Sequence, residues 1–501
     1  MRVLLRGLGV PLFAGAACVF GFAPFYAWPV SIAMLAVFFY VIDRSRVPRQ
    51  AALSGFAFGL GYFIAGVSWM YVSLHDFGAM PAPLAATATF AVCAYLALFP
   101  AAAGWTAIRW GGKRSGPRLA LMAAAFVAFE WLKGWLFSGF PWLTIGTSQV
   151  PSSPLAGFAP LVGTYGTSLA VALAAALTCA FFQSIAFSGS RYRILAALGV
   201  LFLAGGLAKS VAWSVPSGSP FTMALLQGNV PQELKWRDEV REKTMQAYRE
   251  MILEAKARVV VLPETALPAF FDELSPDYLE SLRSDARRTG KEILLGTVER
   301  VFLPGNEFDY YNTLVNLTDP SQKGYRKRHL VPFGEYIPPG FKWILAILHI
   351  PLSDFAVPSE APRVLTAAGI RFGAAICYED IFGEEMIRVL PDAQVLVNVS
   401  NDAWFGRSLA ADQHLQASQM RALETSRWMV RSTNTGVTAA IDERGYVVKR
   451  LPAFINATLV ETVVPLQGTT PYVRWGNYAA LVLAGLIAVA ARRAAGRGDT
   501  R

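Results

Sequence analysis

Eight long apolar runs constrain this chain more than any other feature of its sequence. Seven of them fill the first 212 residues, and most are about 17–25 residues long, enough for a helix to cross a bilayer. Of the 501 residues, 54% are hydrophobic and only 16% are charged, which is more apolar than ordinary soluble proteins. The sequence therefore predicts a polytopic α-helical membrane bundle of about eight spans. The runs cover residues 5–24, 27–43, 51–73, 84–108, 118–138, 158–187, 193–212 and 477–491.

Residues 213–472, between the seventh and eighth runs, have a mixed composition that is compatible with water. Short β-rich runs alternate there with amphipathic helical stretches, a pattern that indicates a layered α/β fold. Strands are predicted at 221–229, 258–264, 292–299, 311–318, 371–379, 393–402, 435–442 and 456–464, and helices at 231–256, 277–290 and 409–430. Three domains follow: a membrane bundle at 1–212, an α/β domain at 213–472, and a final span with a basic tail at 473–501.

The net charge of +10 is distributed in a way that indicates membrane orientation rather than nucleic-acid binding. Lys and Arg flank alternate ends of the spans, whereas the intervening loops "HDFGAMPAP" and "PWLTIGTSQVPSSP" contain neither. Under the positive-inside rule both termini are cytoplasmic, and residues 213–472 lie on the opposite side of the membrane. Reading the first run as a cleaved signal peptide would leave this orientation unchanged.

Three polar residues follow predicted strands of the α/β domain. Glu264 follows "VVVLP", Lys327 lies in "YRKRHL", and Cys377 ends "FGAAIC". Because sites in α/β sheets gather at the carboxyl ends of strands, these side chains are expected to converge. A cysteine needs a neighbouring base or cation to become a thiolate, which Glu264 and Lys327 would supply. The lysine could also stabilise an oxyanion, so the set predicts covalent acyl transfer.

Other chemistry has weaker support in the sequence. A pair of Cys377 with His329 is an alternative, but the Glu–Lys–Cys set is preferred. The remaining cysteines (Cys18, Cys93 and Cys179) lie in predicted spans and give no disulfide framework. The spacing of His, Cys and carboxylate residues predicts no metal site, and no glycine fingerprint indicates a nucleotide cofactor.

The three strand-end motifs, in this order, resemble the carbon–nitrogen hydrolase (nitrilase) superfamily, whose members use a Glu–Lys–Cys triad on an αββα sandwich. With the flanking spans, the chain resembles the bacterial apolipoprotein N-acyltransferase family over nearly its whole length. The resemblance rests on "GFAPFYAWP" (21–29), "GVSWMYVSLHDFG" (66–78), "EWLKGWLFSGFPWL" (130–143), "LQGNVPQELKW" (226–236), "LVPFGEY" (330–336), "CYED" (377–380) and "NVSNDAWFG" (398–406).

The resemblance implies a lipid reaction at the outer face of the bacterial inner membrane. An acyl chain, chiefly the sn-1 chain of phosphatidylethanolamine, would form a thioester on the cysteine. It would then pass, in a ping-pong scheme, to the α-amine of the S-diacylglyceryl-cysteine at an apolipoprotein's N-terminus. This is the last step of lipoprotein maturation, and the enzyme is expected to act as a monomer without a cofactor.

The resemblance also implies a role for each matching residue. Cys377 would be the nucleophile, Glu264 the general base and acid, and Lys327 the oxyanion stabiliser. The supporting residues would be Glu335 beside the lysine, Tyr378 and Glu379 beside the nucleophile, and Trp236 at the substrate entrance.

Two alternative functions stay open. A membrane-tethered amidase or nitrilase would use water as the acyl acceptor. A transporter, from a different class of protein, would use the α/β domain only to bind solute, and it predicts charged or broken helices around a midplane site. The apolar stretch "FKWILAILHIPLSDF" (341–355) is either a lid that dips into the membrane interface or part of the core.

Four further polar or aromatic residues are ambiguous. Glu130 and Lys133, three residues apart in the fifth run, are interpreted as a structural pair, although charges within a membrane often mark function. His75 could contact a lipid headgroup and is more simply an interfacial histidine. Trp404 is expected either at the rim of the site or in the core.

Overall fold

The computed structural model describes residues 2–184, 188–232, 235–305, 307–337, 340 and 354–499. Most of the stretch 341–355, predicted as a lid or as core, lies outside the described residues. The chain forms two compact units. The first comprises Met1–Tyr71, Ala82–Val211 and Arg474–Arg501, and the second Val72–Pro81 and Ala212–Val473.

The helices and strands are as follows. The helices are α1 (Arg2–Cys18), α2 (Trp28–Asp43), α3 (Pro48–Val67), α4 (Met70–Val72), α5 (Ala82–Trp110), α6 (Ser115–Lys133), α7 (Ala159–Gln183), α8 (Ser188–Lys209), α9 (Asp238–Glu254), α10 (Pro276–Arg288), α11 (Gly383–Met386), α12 (Ala410–Thr425), α13 (Pro471–Trp475) and α14 (Tyr478–Asp499). The strands are β1 (Ser214–Pro216), β2 (Phe221–Gln227), β3 (Val259–Val261), β4 (Glu292–Phe302), β5 (Phe308–Asn316), β6 (Tyr325–Arg326), β7 (Leu365–Ala367), β8 (Ile370–Ile376), β9 (Val395–Ser400), β10 (Met429–Thr433), β11 (Ala439–Ile441), β12 (Val447–Arg450), β13 (Ala457–Val463) and β14 (Leu466–Gly468).

The first unit is built from long apolar helices. By length and composition, five of them among the described residues could cross a membrane: Pro48–Val67, Ala82–Trp110, Pro154–Gln183, Gly189–Lys209 and Tyr478–Arg497. Two shorter apolar helices cover Gly7–Gly21 and Trp28–Asp43. Each of the eight predicted runs overlaps a helix, so the helical class of this unit is confirmed, whereas the count of eight spans stays a prediction.

Glu130 and Lys133, near the end of α6, contact the loop that follows this helix. Both are buried. Glu130 accepts a hydrogen bond from the backbone N–H of Ile145 at 2.7 Å, and Lys133 donates to the carbonyl of Trp142 at 2.8 Å. Because these charges satisfy backbone groups of an irregular loop, the contacts support the structural interpretation over a transport site.

The second unit contains two six-stranded sheets, ordered β12-β11-β10-β9-β8-β7 and β13-β2-β3-β4-β5-β6, and the two-stranded pair β1-β14. Strands β2, β3 and β4 run parallel, as do β8, β9 and β10. One apolar core contains side chains of both sheets, including Leu225 and Val261 from one and Phe372 and Val397 from the other. A second core holds residues of α9 and α10, and a third holds residues of α12. Helices therefore pack on both sheets, as a layered α/β fold requires, and the αββα sandwich stays a prediction.

All eight predicted strands overlap observed strands, but the helix predicted at 409–430 was wrong at its end. Helix α12 stops at Thr425 because Ser426 adopts a left-handed backbone conformation with a φ of 53°. The chain then enters β10, whose residues are all buried between β9 and β11. Pairing with two neighbouring strands overrides the helical pattern of this segment.

Residues 72–81 belong to the second unit, although the sequence predicts them within the membrane bundle. Ser73 donates a hydrogen bond to the carbonyl of Trp404 at 2.7 Å, and the rings of Phe77 and Trp404 lie edge to face. His75 Nδ1 lies 2.8 Å from the carbonyl oxygen of Met80. His75 and Trp404 are therefore both part of local packing around this segment.

Candidate active site

The ends of three strands bring Glu264, Lys327 and Cys377 together. The buried valines of β3 are followed by Pro263, which has no N–H to continue a ladder, and Glu264 enters the turn beyond it. Lys327 directly follows β6 of the same sheet, and Cys377 directly follows β8 of the other sheet. Lys327 Nζ lies 3.7 Å from Glu264 Oε1, and the charges of both residues shift the pKa of the Cys377 thiol. The structure thus brings the three residues into one region, and their catalytic roles stay a prediction.

Lys327 lies between two carboxylates. Its side chain is 1% exposed, and its Nζ is 2.7 Å from Glu335 Oε1 and 3.7 Å from Glu264 Oε1. Burial alone would lower the pKa of the ammonium, but the charges of Glu335 and Glu264 outweigh it and raise the pKa above its usual value. The lysine is thus a fixed cation, as an oxyanion stabiliser must be.

Glu264 is held by hydrogen bonds at both oxygens. Its Oε1 accepts from Asn312 Nδ2 at 2.6 Å, and its Oε2 accepts from the backbone N–H of Asn401 at 2.8 Å. Burial raises the pKa of this carboxyl, although Lys327 opposes the shift. A carboxylate with a raised pKa is a stronger base, which suits a group that must accept a proton and return it.

Cys377 occupies an unusual backbone conformation. Its φ is 52°, in the left-handed region that few residues other than glycine adopt. Burial raises the pKa of its thiol well above the usual value, and Glu264 adds to this shift whereas Lys327 opposes it. The resting sulfur therefore carries its proton, and deprotonation must be coupled to transfer onto a base.

Glu379 connects the lysine segment to the nucleophile segment. Its Oε1 accepts from the backbone N–H groups of Arg328 at 2.6 Å and His329 at 3.2 Å. Its Oε2 accepts from the N–H of Ile376 at 2.7 Å and the hydroxyl of Tyr325 at 3.0 Å. Burial raises the pKa of Glu379 to about 7, despite these backbone donors. The Glu379 carboxylate thus holds the backbone next to Lys327 and the backbone next to Cys377.

Replacing Glu379 with glutamine is expected to reduce kcat/KM by about 10–100-fold, because displacement of reacting groups by about 1 Å has effects of that size. The amide nitrogen would face N–H donors, so at least one buried backbone donor would lose its partner at a cost of about 1–3 kcal/mol. Steady-state kinetics and thermal melting measure both effects. Glu385→Gln is the matched control, since the Glu385 carboxylate contacts the side chain of His329 rather than backbone N–H groups. Equal kinetics in the two variants would contradict this role.

The other predicted residues lie around the three central groups. Glu335 contacts Lys327 as expected and also accepts from the N–H of Val331 at 2.9 Å. Tyr378 is buried, and Trp236 is 37% exposed. His329 stacks on Phe382, and its Nδ1 lies 2.8 Å from Glu385 Oε1.

Trp236 belongs to an aromatic cluster that extends to β5, the strand that carries Asn312, the hydrogen-bond partner of Glu264. Its ring lies 6.3 Å from that of Phe270, which stacks on Tyr310 at 5.4 Å. Tyr310 and Asn312 are two residues apart on β5 and therefore share a face. Aromatic rings therefore lie on the same face of β5 as the residue that hydrogen-bonds Glu264.

Sequence reasoning missed several residues of the site. Asn312 and Asn401 hold Glu264, and the buried Lys235 places its Nζ 3.4 Å from the Glu264 carbonyl oxygen. Burial lowers the pKa of Lys235 to about 8, although Glu264 opposes the shift. A polar residue within an apolar strand was the available signal for Asn312, and the position of Lys235 beside Trp236 was the signal for that lysine.

Comparison with known proteins matches this fold and site in two parts. Residues 222–471 match the family model for carbon-nitrogen hydrolases, and residues 14–177 match the model for the apolipoprotein N-acyltransferase N-terminal domain. The second unit thus defines a carbon-nitrogen hydrolase domain.

Relatives that match nearly the whole chain define its family more closely than the two family models do. The chain is 49% identical over 486 residues to the apolipoprotein N-acyltransferase of Nitrosomonas europaea, covering 97% of this chain and 96% of the relative. It is 43% identical over 493 residues to that of Methylococcus capsulatus, covering 97% and 96%. It is 42% identical over 499 residues to that of Ralstonia nicotianae, covering 96% and 93%. The chain belongs to the apolipoprotein N-acyltransferase family.

Proposed function

We propose that the protein is an N-acyltransferase that moves an acyl chain from a membrane phospholipid to an apolipoprotein. The donor would be phosphatidylethanolamine, through its sn-1 ester, and the acceptor the α-amine of the N-terminal S-diacylglyceryl-cysteine. The observation that carries the proposal is the buried Lys327 ammonium between the carboxylates of Glu264 and Glu335. The charges of Lys327 and Glu264 act on the Cys377 thiol.

The first half-reaction would form a thioester. Glu264 takes the thiol proton as the sulfur attacks the ester carbonyl, and Lys327 stabilises the oxyanion of the tetrahedral intermediate. The carbon–oxygen bond of the ester then breaks. The departing glycerol oxygen receives the proton from Glu264 and leaves as a lysophospholipid.

The second half-reaction would reverse these roles. The acceptor amine attacks the thioester carbonyl, Glu264 takes a proton from the nitrogen, and the carbon–sulfur bond breaks. The sulfur leaves as a thiolate beside Lys327 and regains its proton from Glu264. A free Cys377 and an N-acylated peptide result, so the enzyme returns to its starting state without a cofactor.

The aromatic cluster from Trp236 to Tyr310 supports a lipid substrate over a small soluble amide. In this proposal residues 213–472 face the periplasm and both termini are cytoplasmic, because the basic residues flank the opposite span ends. The enzyme acts as a monomer in the bacterial inner membrane. An amidase or nitrilase that uses water remains the second candidate, since the same residues can direct the thioester to water.

A reconstituted acylation assay separates these candidates. The full chain is placed in phosphatidylethanolamine vesicles with a synthetic S-diacylglyceryl-cysteinyl peptide, and peptide mass is followed. We expect the peptide to gain the mass of one acyl chain at its N-terminus, with an equal amount of lysophospholipid formed. Free fatty acid with an unchanged peptide mass would overturn the transferase and favour the hydrolase. A peptide with an acetylated α-amine is the matched control and should gain nothing.

A further inference from the structure

Four buried charged residues close to Cys377 have no role in the proposed reaction. They are Asp380, Asp402, His414 and Arg431, hereafter the buried ionic cluster, and each residue is at most 3% exposed. His414 lies between the two carboxylates, with Nε2 2.7 Å from Asp380 Oδ1 and Nδ1 3.0 Å from Asp402 Oδ1. Arg431 lies 2.7 Å from Asp380 Oδ2 and 3.4 Å from Asp402 Oδ2.

The buried ionic cluster is electrically balanced near neutral pH. Burial and Arg431 lower the pKa of His414, but Asp380 and Asp402 outweigh them and raise it to about 9. Burial would raise the pKa of Asp402, yet His414 and Arg431 lower it to about 2. Two carboxylates therefore face two cations. A balanced arrangement of this kind holds its geometry, because each charge is costly to expose or neutralise alone.

His414 connects this cluster to the backbone of the nucleophile, and a neighbouring amide adds a second contact. His414 Nε2 lies 3.2 Å from the carbonyl oxygen of Cys377, and Asn398 Nδ2 donates to the same oxygen at 3.0 Å. The Cys377 peptide needs such restraints because its left-handed conformation is unfavourable for a residue with a side chain. The carbonyl is thus held by one charged and one amide donor.

Ser400 connects the buried ionic cluster to the residue that carries the sulfur. Ser400, the last residue of β9, is fully buried and donates its hydroxyl to Asp402 Oδ1 at 2.7 Å. Val399 pairs with Ile376 in the parallel register of β9 and β8, so Ser400 and Cys377 follow side by side. At this position the hydroxyl lowers the pKa of the Cys377 thiol, whereas the charge of Asp402 raises it. When the sulfur is anionic, the hydroxyl can rotate to donate to it. When the sulfur carries an acyl group, the hydroxyl returns to Asp402.

We infer that the buried ionic cluster is a positioning site for Cys377, acting on the peptide through His414 and on the sulfur through Ser400. This inference rests on the proposed function, in which Cys377 is the nucleophile. Ser400 is the part that a purely structural ion cluster would not require. A cluster that only stabilised the fold would change melting when altered but would leave the ionisation of the sulfur unchanged.

Alkylation of Cys377 tests the inference without depending on acyl transfer. The full chain in vesicles is treated with iodoacetamide at pH 7, 8, 9 and 10, and the rate of modification of the Cys377 peptide is followed by mass spectrometry. For Ser400→Ala we expect this rate to fall about tenfold at each pH, because losing a hydrogen bond to the charged sulfur raises the pKa of the thiol by about one unit. Formation of the acyl adduct should slow by about tenfold at pH 7, as the thiolate fraction falls.

Ser418→Ala is the matched control. Ser418 is equally buried, and its hydroxyl contacts Asp380, Arg431 and the carbonyl of His414. This variant should alter melting while leaving the alkylation rate of Cys377 unchanged at each pH. Ser400→Thr keeps the hydroxyl and should restore most of the wild-type alkylation rate. His414→Gln removes a cluster cation and should slow acyl-adduct formation by more than tenfold.

The outcomes separate the inference from the proposed function. Folded Ser400→Ala and His414→Gln proteins with wild-type alkylation profiles and adduct rates would overturn the positioning site. If His414→Gln does not fold, the comparison of Ser400→Ala with Ser418→Ala tests the positioning site. Failure of the wild-type protein to form any Cys377 adduct would instead overturn the proposed function.

Discussion

Replacing Cys377 with alanine is expected to abolish the acyl-enzyme and to reduce acyl transfer by about 10⁴-fold or more, the scale seen when a catalytic nucleophile is removed. No other thiol can substitute, because Cys18, Cys93 and Cys179 are buried within the first unit. Serine at position 377 should fail as well, because its hydroxyl is far harder to deprotonate than a thiol. The defect should appear in kcat, since the lost interaction forms only as the reaction proceeds.

Intact-mass spectrometry after incubation with phosphatidylethanolamine measures this directly. The wild-type chain should gain the mass of one acyl group, which hydroxylamine removes as expected for a thioester. The adduct should be missing from Cys377→Ala and retained in Cys179→Ala, a thiol control from a buried helix position. An adduct of equal yield in Cys377→Ala would show that the acyl group is held elsewhere, and the proposed mechanism would then be wrong.

The elements that position this site could be predicted from sequence because each ends an apolar run. Continuous apolar segments mark β3 and β8 as buried strands, and the first polar residue beyond each marks the edge of a sheet. The convergence of Glu264 and Cys377 then follows from strand-end geometry. The end of α12 could not be predicted in this way, because the pairing of β10 with two neighbours decided it.

The partners of these residues could not be predicted, because packing between distant segments creates them. The backbone N–H of Asn401 contacts the carboxylate of Glu264, although the two residues are 137 positions apart in the sequence. His414 contacts Cys377 across 37 positions. Backbone donors carry no sequence signal at all. The charges of Arg431 and Asp402 look like ordinary surface residues until the fold buries both. Sequence therefore predicts the candidate reacting groups, whereas structure is needed to find the residues that hold them.

Replacing Lys327 with methionine is expected to reduce kcat/KM by at least about 10³-fold, the effect of losing a preorganised oxyanion donor. The change also leaves Glu264 and Glu335 without their shared cation. Breaking a buried ion pair by removing one partner costs about 3–5 kcal/mol, and Lys327 is 1% exposed, so solvent does not screen the loss. Methionine keeps a similar length and is apolar, so the result reports the missing charge rather than a cavity. Kinetics and thermal melting measure the two effects.

The pH dependence of melting separates the loss of charge from general damage at this position. Without Lys327, burial and mutual repulsion would raise the pKa of Glu264 further above its unfolded value. A group with a raised folded-state pKa loses stabilisation as pH rises, so the melting deficit of the variant should be small near pH 5 and large near pH 8. Lys323→Met is the control, because that lysine is 71% exposed and its partner Glu360 is also exposed, and it should match the wild type at both pH values. A deficit in Lys327→Met that is constant with pH would mean that the lysine does not neutralise these carboxylates. The account of Lys327 as the fixed cation of the site would then fail.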